Sequence, residues 1–268
     1  MELTFGFSVV QNPIEDCLEY ALEHNLTHLE IDLMENHSCL EAFDNQRLNR
    51  LKDLAGKFHL SLSLHTPYTM NLADKVSMIR EANIAYLKKC IILAYNLGVT
   101  HVTTHLGNYY ELPGLTGMRQ NALQRLVLSL KKILSDCCRY KVKLALENVH
   151  RIPEGCGFLN LGDNIQDFEF LFSELKSDLI HLCLDVGHAN THEGASAYIQ
   201  KFTSKIICVH YHDNHGRYDE HLDVGEGTLP WERIAGQLKQ IGFQGPFISE
   251  TFNRLKPHEV RDTFHTFF

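Results

Sequence analysis

V-H-Y-H-D-N-H-G-R-Y-D-E-H-L-D-V-G-E-G-T-L-P-W, residues 209–231, holds four histidines (His210, His212, His215, His221) and two aspartates (Asp213, Asp219) within its first thirteen residues, followed by a Gly225-Glu226-Gly227 turn. A β-type run over 206–211 leads in, and a helical pattern starts after Pro230. The stretch therefore reads as a loop between a strand and the following helix. In closed barrels of alternating strands and helices, that is where the chemistry sits. A loop of this composition can bring two or three imidazoles and a carboxylate around one point.

Outward from this loop, the whole chain alternates strand and helix. Strands are expected over 3–9, 27–33, 60–65, 100–105, 143–147, 179–185, 206–210 and 246–250. Helices are expected over 15–24, 44–57, 74–97, 119–140, 195–203, 230–241 and 257–268, with one more from a cap at Asp163 or Asn164 to Lys176. Gly98 marks a helix end, since glycine accepts the left-handed backbone of a C-terminal stop. The third to eighth strands are near-continuous apolar runs, as expected of parallel strands covered on both sides. Eight strand–helix units in 268 residues point to an α/β fold, a single-domain (β/α)8 barrel over 1–268. An open doubly wound sheet is disfavoured because no Gly-x-Gly-x-x-Gly follows the first strand.

The composition, 44% hydrophobic, allows a sizeable core. The formal charge is −8, from 25 basic and 33 acidic residues, with no basic arm. That disfavours nucleic acid as a partner, because phosphate neutralisation needs clustered Lys and Arg. No apolar run approaches membrane-spanning length, and no signal peptide is read at the N-terminus. The eight cysteines form no C-x-x-C pair, and Cys90, Cys183 and Cys208 sit in apolar runs. Reduced core thiols in a cytoplasmic protein are the expectation.

The strand ends carry the chemistry. The second strand places Glu30 and Asp32 on one face, two residues apart. The third ends at His65, the fourth at His105, the fifth at Glu147, and the sixth at Asp185 with His188 three residues on. The seventh ends at His210, with Asp219 and His221 in its loop, and the eighth at Glu250. A lone histidine at a strand end is ordinarily a hydrogen-bonded structural residue. Six consecutive strands, each with a His, Asp or Glu at one rim, would all point at one axis. Such carboxylates would repel one another unless cations held them together. Histidine and carboxylate ligands without cysteine suit zinc, manganese or cobalt. Nine candidates exceed what one ion takes, so two or three ions bind or some of these groups contact substrate.

The motifs L-H-T-P-Y, T-H-L-G, L-E-N, L-D-x-G-H, V-H-x-x-D, D-x-H-x-x-x-G-E-G and S-E-T, in that order, resemble the xylose isomerase-like TIM-barrel superfamily. That superfamily joins sugar and sugar-phosphate isomerases and epimerases to the endonuclease IV family. Resemblance to endonuclease IV implies three zinc ions on His65, His105, Glu147, Asp185, His188, His210, Asp219, His221 and Glu250. Glu147 would then bridge two metals and an activated water. Resemblance to the tagatose/psicose 3-epimerases implies one metal on Glu147, Asp185, His210 and Glu250. Glu147 and Glu250 would be the catalytic acid/base pair, and His188 would bind a substrate oxygen. The Asp219-x-His221 pair fits the multi-metal pattern better. Against the endonuclease, F-G-F-S-V-V lacks that family's opening, and the loop over 34–38 lacks the Arg and aromatic residues that would wedge into a duplex. The motifs look most like proteins described as sugar phosphate isomerase/epimerase.

The function expected is a metal-dependent isomerase or epimerase of a small sugar or sugar phosphate, with one to three zinc or manganese ions. The alternative is a zinc-dependent phosphodiester hydrolase of the endonuclease IV type, which the ligand count favours. A non-catalytic binding protein comes third, and a homo-oligomer is left open. Tyr68, Asn71 and Arg217 are candidate substrate-binding residues, Arg217 as a phosphate anchor. His212 and His215 are expected outside the ligand set, near it or at the surface. Glu226 is expected to orient a histidine, and Trp231 to pack its helix on the barrel.

Overall fold

The structure is a computed structural model that describes residues 3–10, 12–99, 101–111, 116–153, 156–251 and 256–268; Thr100, the expected start of the fourth strand, lies outside them. In chain order the elements are β1 (Phe5–Val9), α1 (Ile14–Glu23), β2 (His28–Asp32), a short 3-10 turn (Leu40–Ala42), α2 (Asn45–Lys57), β3 (Ser61–His65) and α3 (Ser77–Leu97). Then come β4 (His101–His105), β5 (Asn108–Tyr110), α4 (Met118–Tyr140), β6 (Lys143–Glu147), β7 (Phe158–Asn160) and α5 (Ile165–Glu174). The chain closes with β8 (Ile180–Asp185), α6 (Val186–Asn190), α7 (Ala195–Lys201), β9 (Ile206–Tyr211), α8 (Trp231–Gln240), β10 (Phe247–Ser249) and α9 (Pro257–His265).

Eight of these strands form a closed parallel barrel in the order β1-β10-β9-β8-β6-β4-β3-β2, the single (β/α)8 barrel expected. Its register aligns the rim. Asp32 pairs with His65, His105 with Glu147, and Asp185 with His210. Because side chains alternate across a strand, residues two positions earlier point inward one layer deeper. Part of that layer is small and apolar, with Ala145, Cys183, Cys208 and Ile248 packed together. Another part is polar, with Glu30, Ser63 and Thr103 all buried.

The local signals act as expected at several ends. Gly98 closes α3 at φ 75°, and Asn164, rather than Asp163, caps α5 by accepting the Asp167 N–H. α3 starts at Ser77 and not at residue 74, because Asp74 Oδ1 accepts the Val76 N–H and holds the chain in a turn. All eight cysteines are free thiols, with Cys90, Cys183 and Cys208 buried. Two features lie outside the strand–helix alternation. β5 and β7 form an antiparallel pair, with Asn108 opposite Asn160. The five-residue α6 follows β8 directly. Among the described residues, no helix is long and apolar enough to cross a membrane.

Candidate metal centre

The loop over 209–231 is built around one buried carboxylate that is not a metal candidate. Asp213 Oδ1 accepts from the N–H groups of Asn214 (2.9 Å) and Leu229 (3.2 Å). Its Oδ2 accepts from Gly225 N (3.0 Å) and the Trp231 indole N–H (2.8 Å). Gly225 has φ 92°, which favours glycine, and a Cβ on Gly227 would lie 2.2 Å from Asp213 Oδ1. The Gly-Glu-Gly turn therefore exists to wrap the backbone onto Asp213. Trp231 is buried against Phe264 of the C-terminal helix, which itself stacks on Tyr211 of β9 at 4.5 Å, so the loop end is held to the barrel through that helix. Asp213→Ala leaves four donors without their acceptor. Urea denaturation is expected to show a loss of about 3 kcal/mol, with new proteolytic cleavage inside the loop.

Glu147 is the hub of the site. It is wholly buried at the end of β6, and both carboxylate oxygens face histidines. Oε2 lies 2.8 Å from His65 Nε2 and 3.1 Å from His105 Nε2. Oε1 lies 3.1 Å from His210 Nδ1 and 3.6 Å from His188 Nδ1. Glu250 Oε1 lies 3.1 Å from that same His210 Nδ1. Asp185 ends β8 and caps α6, its Oδ1 accepting the His188 N–H at 2.6 Å. The L-D-x-G-H motif is thus one structural unit: the aspartate starts the helix that carries its histidine. Asp219 Oδ2 lies 3.3 Å from His188 Nε2 and 3.2 Å from His221 Nε2.

The nine residues expected from the sequence gather at one mouth of the barrel, in overlapping groups. Ligand atoms of His65, Glu147, His210 and Glu250 lie within 4.8 Å of one another, as do those of Glu147, Asp185 and His188. His188, Asp219 and His221 form another such group together with His212. Burial disfavours every charge here, yet the opposed charges outweigh it. Burial pushes the His65 imidazole down, but its contacts with Glu147 prevail and raise it to about 10. His188 and His210 are likewise raised against burial by the surrounding acids, while Glu147, Asp185 and Asp219 are lowered by the rings. Imidazolium protons thus supply positive charge among these carboxylates. Divalent cations fit the same place: Asp185 Oδ2, Asp219 Oδ1 and His212 Nδ1 are buried without a hydrogen-bond partner.

Above these groups opens a cavity of about 730 Å³ lined by His65, His105, His188, Asp219, His221 and Glu250 at its base and by Met34, Tyr68, Ile152 and Phe158 on its walls. Tyr68 stands on this wall, 60% exposed, as a substrate-binding role requires. Asn71 does not line the cavity. Its amide donates to Asn108 Oδ1 at 2.9 Å, and its Oδ1 accepts the N–H groups of Ala73 and Asn108. It is a bracket between two loops, and Gly107, at φ 106°, leaves room for it. Arg217 also lies away from the cavity; it is exposed, its guanidinium 5.3 Å over the Tyr218 ring.

Two neighbours depart from expectation. His215 is exposed and paired with Glu220, but His212 is fully buried, 3.2 Å from Asp185 Oδ1 and stacked on His221 at 3.9 Å. Glu226 orients no histidine; it is exposed and accepts the Asp223 N–H within its own turn. His150 is a site residue that the strand-end pattern does not single out. It lines the cavity with Nδ1 3.2 Å from Asp219 Oδ2, and its position three residues after Glu147 is the available signal.

Several known proteins share this architecture. The chain is 26% identical over 260 residues to the uncharacterized protein MJ1311 of Methanocaldococcus jannaschii, covering 94% of this chain and 85% of that one. It is 24% identical to a probable endonuclease 4 of Carboxydothermus hydrogenoformans, covering 79% and 77%. Among solved structures, a D-tagatose 3-epimerase-like protein superposes with a TM-score of 0.87 at 24% identity, covering 99% and 97%. A D-psicose 3-epimerase with D-tagatose, from Clostridium cellulolyticum H10, gives 0.79 at 16% identity, covering 99% and 98%. The IOLI protein with a bound zinc atom also gives 0.79, at 18% identity, covering 99% and 96%. The family described as xylose isomerase-like TIM barrel matches residues 18–266, nearly the full length, and the chain belongs to that family.

Proposed function

We propose that the protein is a divalent-metal-dependent sugar isomerase or epimerase that moves a proton at the carbon beside a ketose carbonyl. The observation that carries this reading is the pair of carboxylates, Glu147 and Glu250, each 3.1 Å from His210 Nδ1 beneath the cavity that opens at the barrel mouth. Glu147, Asp185, His210 and Glu250 would hold the ion, zinc or manganese. When bound, such a cation polarises a carbonyl and makes the adjacent C–H more acidic.

The chain's own residues would do the rest. Glu250, at the cavity base, takes the proton from one face of the carbon, and Glu147 returns one from the other. His188, whose ring lies between Asp219 and the Asn148 carbonyl, contacts a substrate oxygen. Tyr68, Met34, Ile152 and Phe158 shield the reacting carbon from water. Among the described residues the cavity lining carries no Lys or Arg to pair with a phosphate, which favours an uncharged sugar over a sugar phosphate.

A second reading, a phosphodiester hydrolase like the endonuclease 4 relative, draws support from the separate His188, His212, Asp219 and His221 group, which could take an ion of its own. The lack of Lys or Arg on the cavity lining, among the described residues, and the formal charge of −8 weigh against a polyanionic substrate. Zinc- or manganese-loaded protein incubated with a panel of free ketoses, read by NMR, is expected to accumulate the epimer or aldose of at least one of them. No conversion of any ketose, together with metal-dependent nicking of duplex DNA at an abasic site, would replace the first reading with the second.

A further inference from the structure

Glu30 is absent from the ligand set that the sequence suggests, and it does not line the cavity. It is fully buried inside the barrel, one layer below the rim, because it precedes Asp32 by two residues on β2. A carboxylate in that position needs partners. Oε2 accepts from Ser63 Oγ at 2.8 Å and from Thr103 Oγ1 at 3.1 Å. Those hydroxyls likewise sit two residues before His65 and His105, so the layer under the candidate ligands is arranged around Glu30. Ser63 is itself held by His28, 2.9 Å from Oγ to Nε2.

The other oxygen, Oε1, lies 2.9 Å from His210 Nε2. Both atoms are buried with no hydrogen-bond partner elsewhere, and this 2.9 Å ion-pair contact is the polar contact that each makes among the described residues. The opposite ring nitrogen, Nδ1, lies 3.1 Å from Glu147 Oε1 and 3.1 Å from Glu250 Oε1. An ionised carboxylate only accepts hydrogen bonds, so the nitrogen that faces Glu30 has to carry the hydrogen. When a cation takes the place of the proton on Nδ1, the ring is a neutral imidazole protonated at Nε2, with its Nδ1 lone pair toward Glu147 and Glu250.

We infer that Glu30 is a positioning residue for the metal centre: it fixes the His210 ring in the Nε2–H tautomer and leaves Nδ1 as the metal ligand. The inference rests on the reading that His210 binds the cation. A buried carboxylate behind a ligating histidine orients the ring and raises its basicity, and its loss commonly weakens metal binding by about 10–100-fold. Glu30 acts through His210 and never touches substrate.

Zinc titration of the metal-free full-length protein and of Glu30→Gln, followed by competition with a chromophoric chelator, tests the energetic half. The variant is expected to bind zinc about 10–100-fold more weakly, and an affinity within about twofold of the parent overturns the inference. Long-range ¹H–¹⁵N spectra of zinc-loaded parent protein test the structural half and need no variant to fold. The His210 ring is expected to show a protonated Nε2 and a zinc-shifted Nδ1. Zinc on Nε2 overturns the inference even where Glu30→Gln misfolds. A parent that takes up no zinc removes the metal reading itself, and this inference with it.

Discussion

Glu147→Gln is expected to lower turnover by about a thousandfold or more while the protein keeps its circular dichroism spectrum. The substitution preserves size and shape, so the barrel end loses little packing. It removes one negative charge from a point where the carboxylate lies within 3.1 Å of three histidine rings, His65, His105 and His210. An amide cannot take or return a proton as a carboxylate does, and its NH2 group would oppose whichever imidazole nitrogens donate there. Both candidate chemistries, proton transfer and hydrolysis, need this residue. A variant with parental turnover would therefore show that the reaction happens elsewhere. As a proposed metal ligand, Glu147 also predicts weaker metal uptake by the variant, read by mass spectrometry under native conditions.

Stripping divalent metal with a chelator is the second large effect expected. Activity should vanish and return when zinc or manganese is added back. The protein should also lose stability, since an ion that binds only the folded state contributes about 2.7 kcal/mol at a concentration one hundred times its dissociation constant. The metal-free fold should survive. Its carboxylates lie against histidine rings, which they raise against the effect of burial at His65, His188 and His210, and the hydrophobic packing of the barrel lies outside the mouth. Parental activity in excess chelator would overturn the metal reading, whichever reaction proves correct.

The barrel is legible in the sequence because alternation at two scales is written there. Strands and helices alternate along the chain, and inward and outward residues alternate along each strand. That second period by itself puts His65, His105, Glu147, Asp185 and His210 on one rim. The same rule applies to His212, two residues after His210 on an extended run, and it points to the side where that ring is found.

What fails lies where no period operates. Arg217 and Glu226 sit in a loop whose path is set by Asp213 and its four donors, and residue identity alone does not show which way such side chains turn. Asn71 carries a polar amide beside a rim strand, but its bracket to Asn108 spans two loops. β5 and β7 are three residues each and far apart in the chain, too short for any alternation to register. Glu30 is a middle case. Its inward direction is readable from its spacing to Asp32, while its contact with His210 crosses the barrel and exists only in the closed fold.

The central claim, that the carboxylates at the barrel mouth move a proton on a sugar, is tested most directly by exchange in heavy water. Metal-loaded protein is incubated with a ketose that the NMR panel shows to be turned over, and the spectrum of recovered substrate and product is followed. The account predicts that deuterium enters the carbon beside the carbonyl, that incorporation requires the metal, and that Glu147→Gln abolishes it. Turnover of the sugar with no deuterium at that carbon, or exchange undiminished in Glu147→Gln, would contradict it.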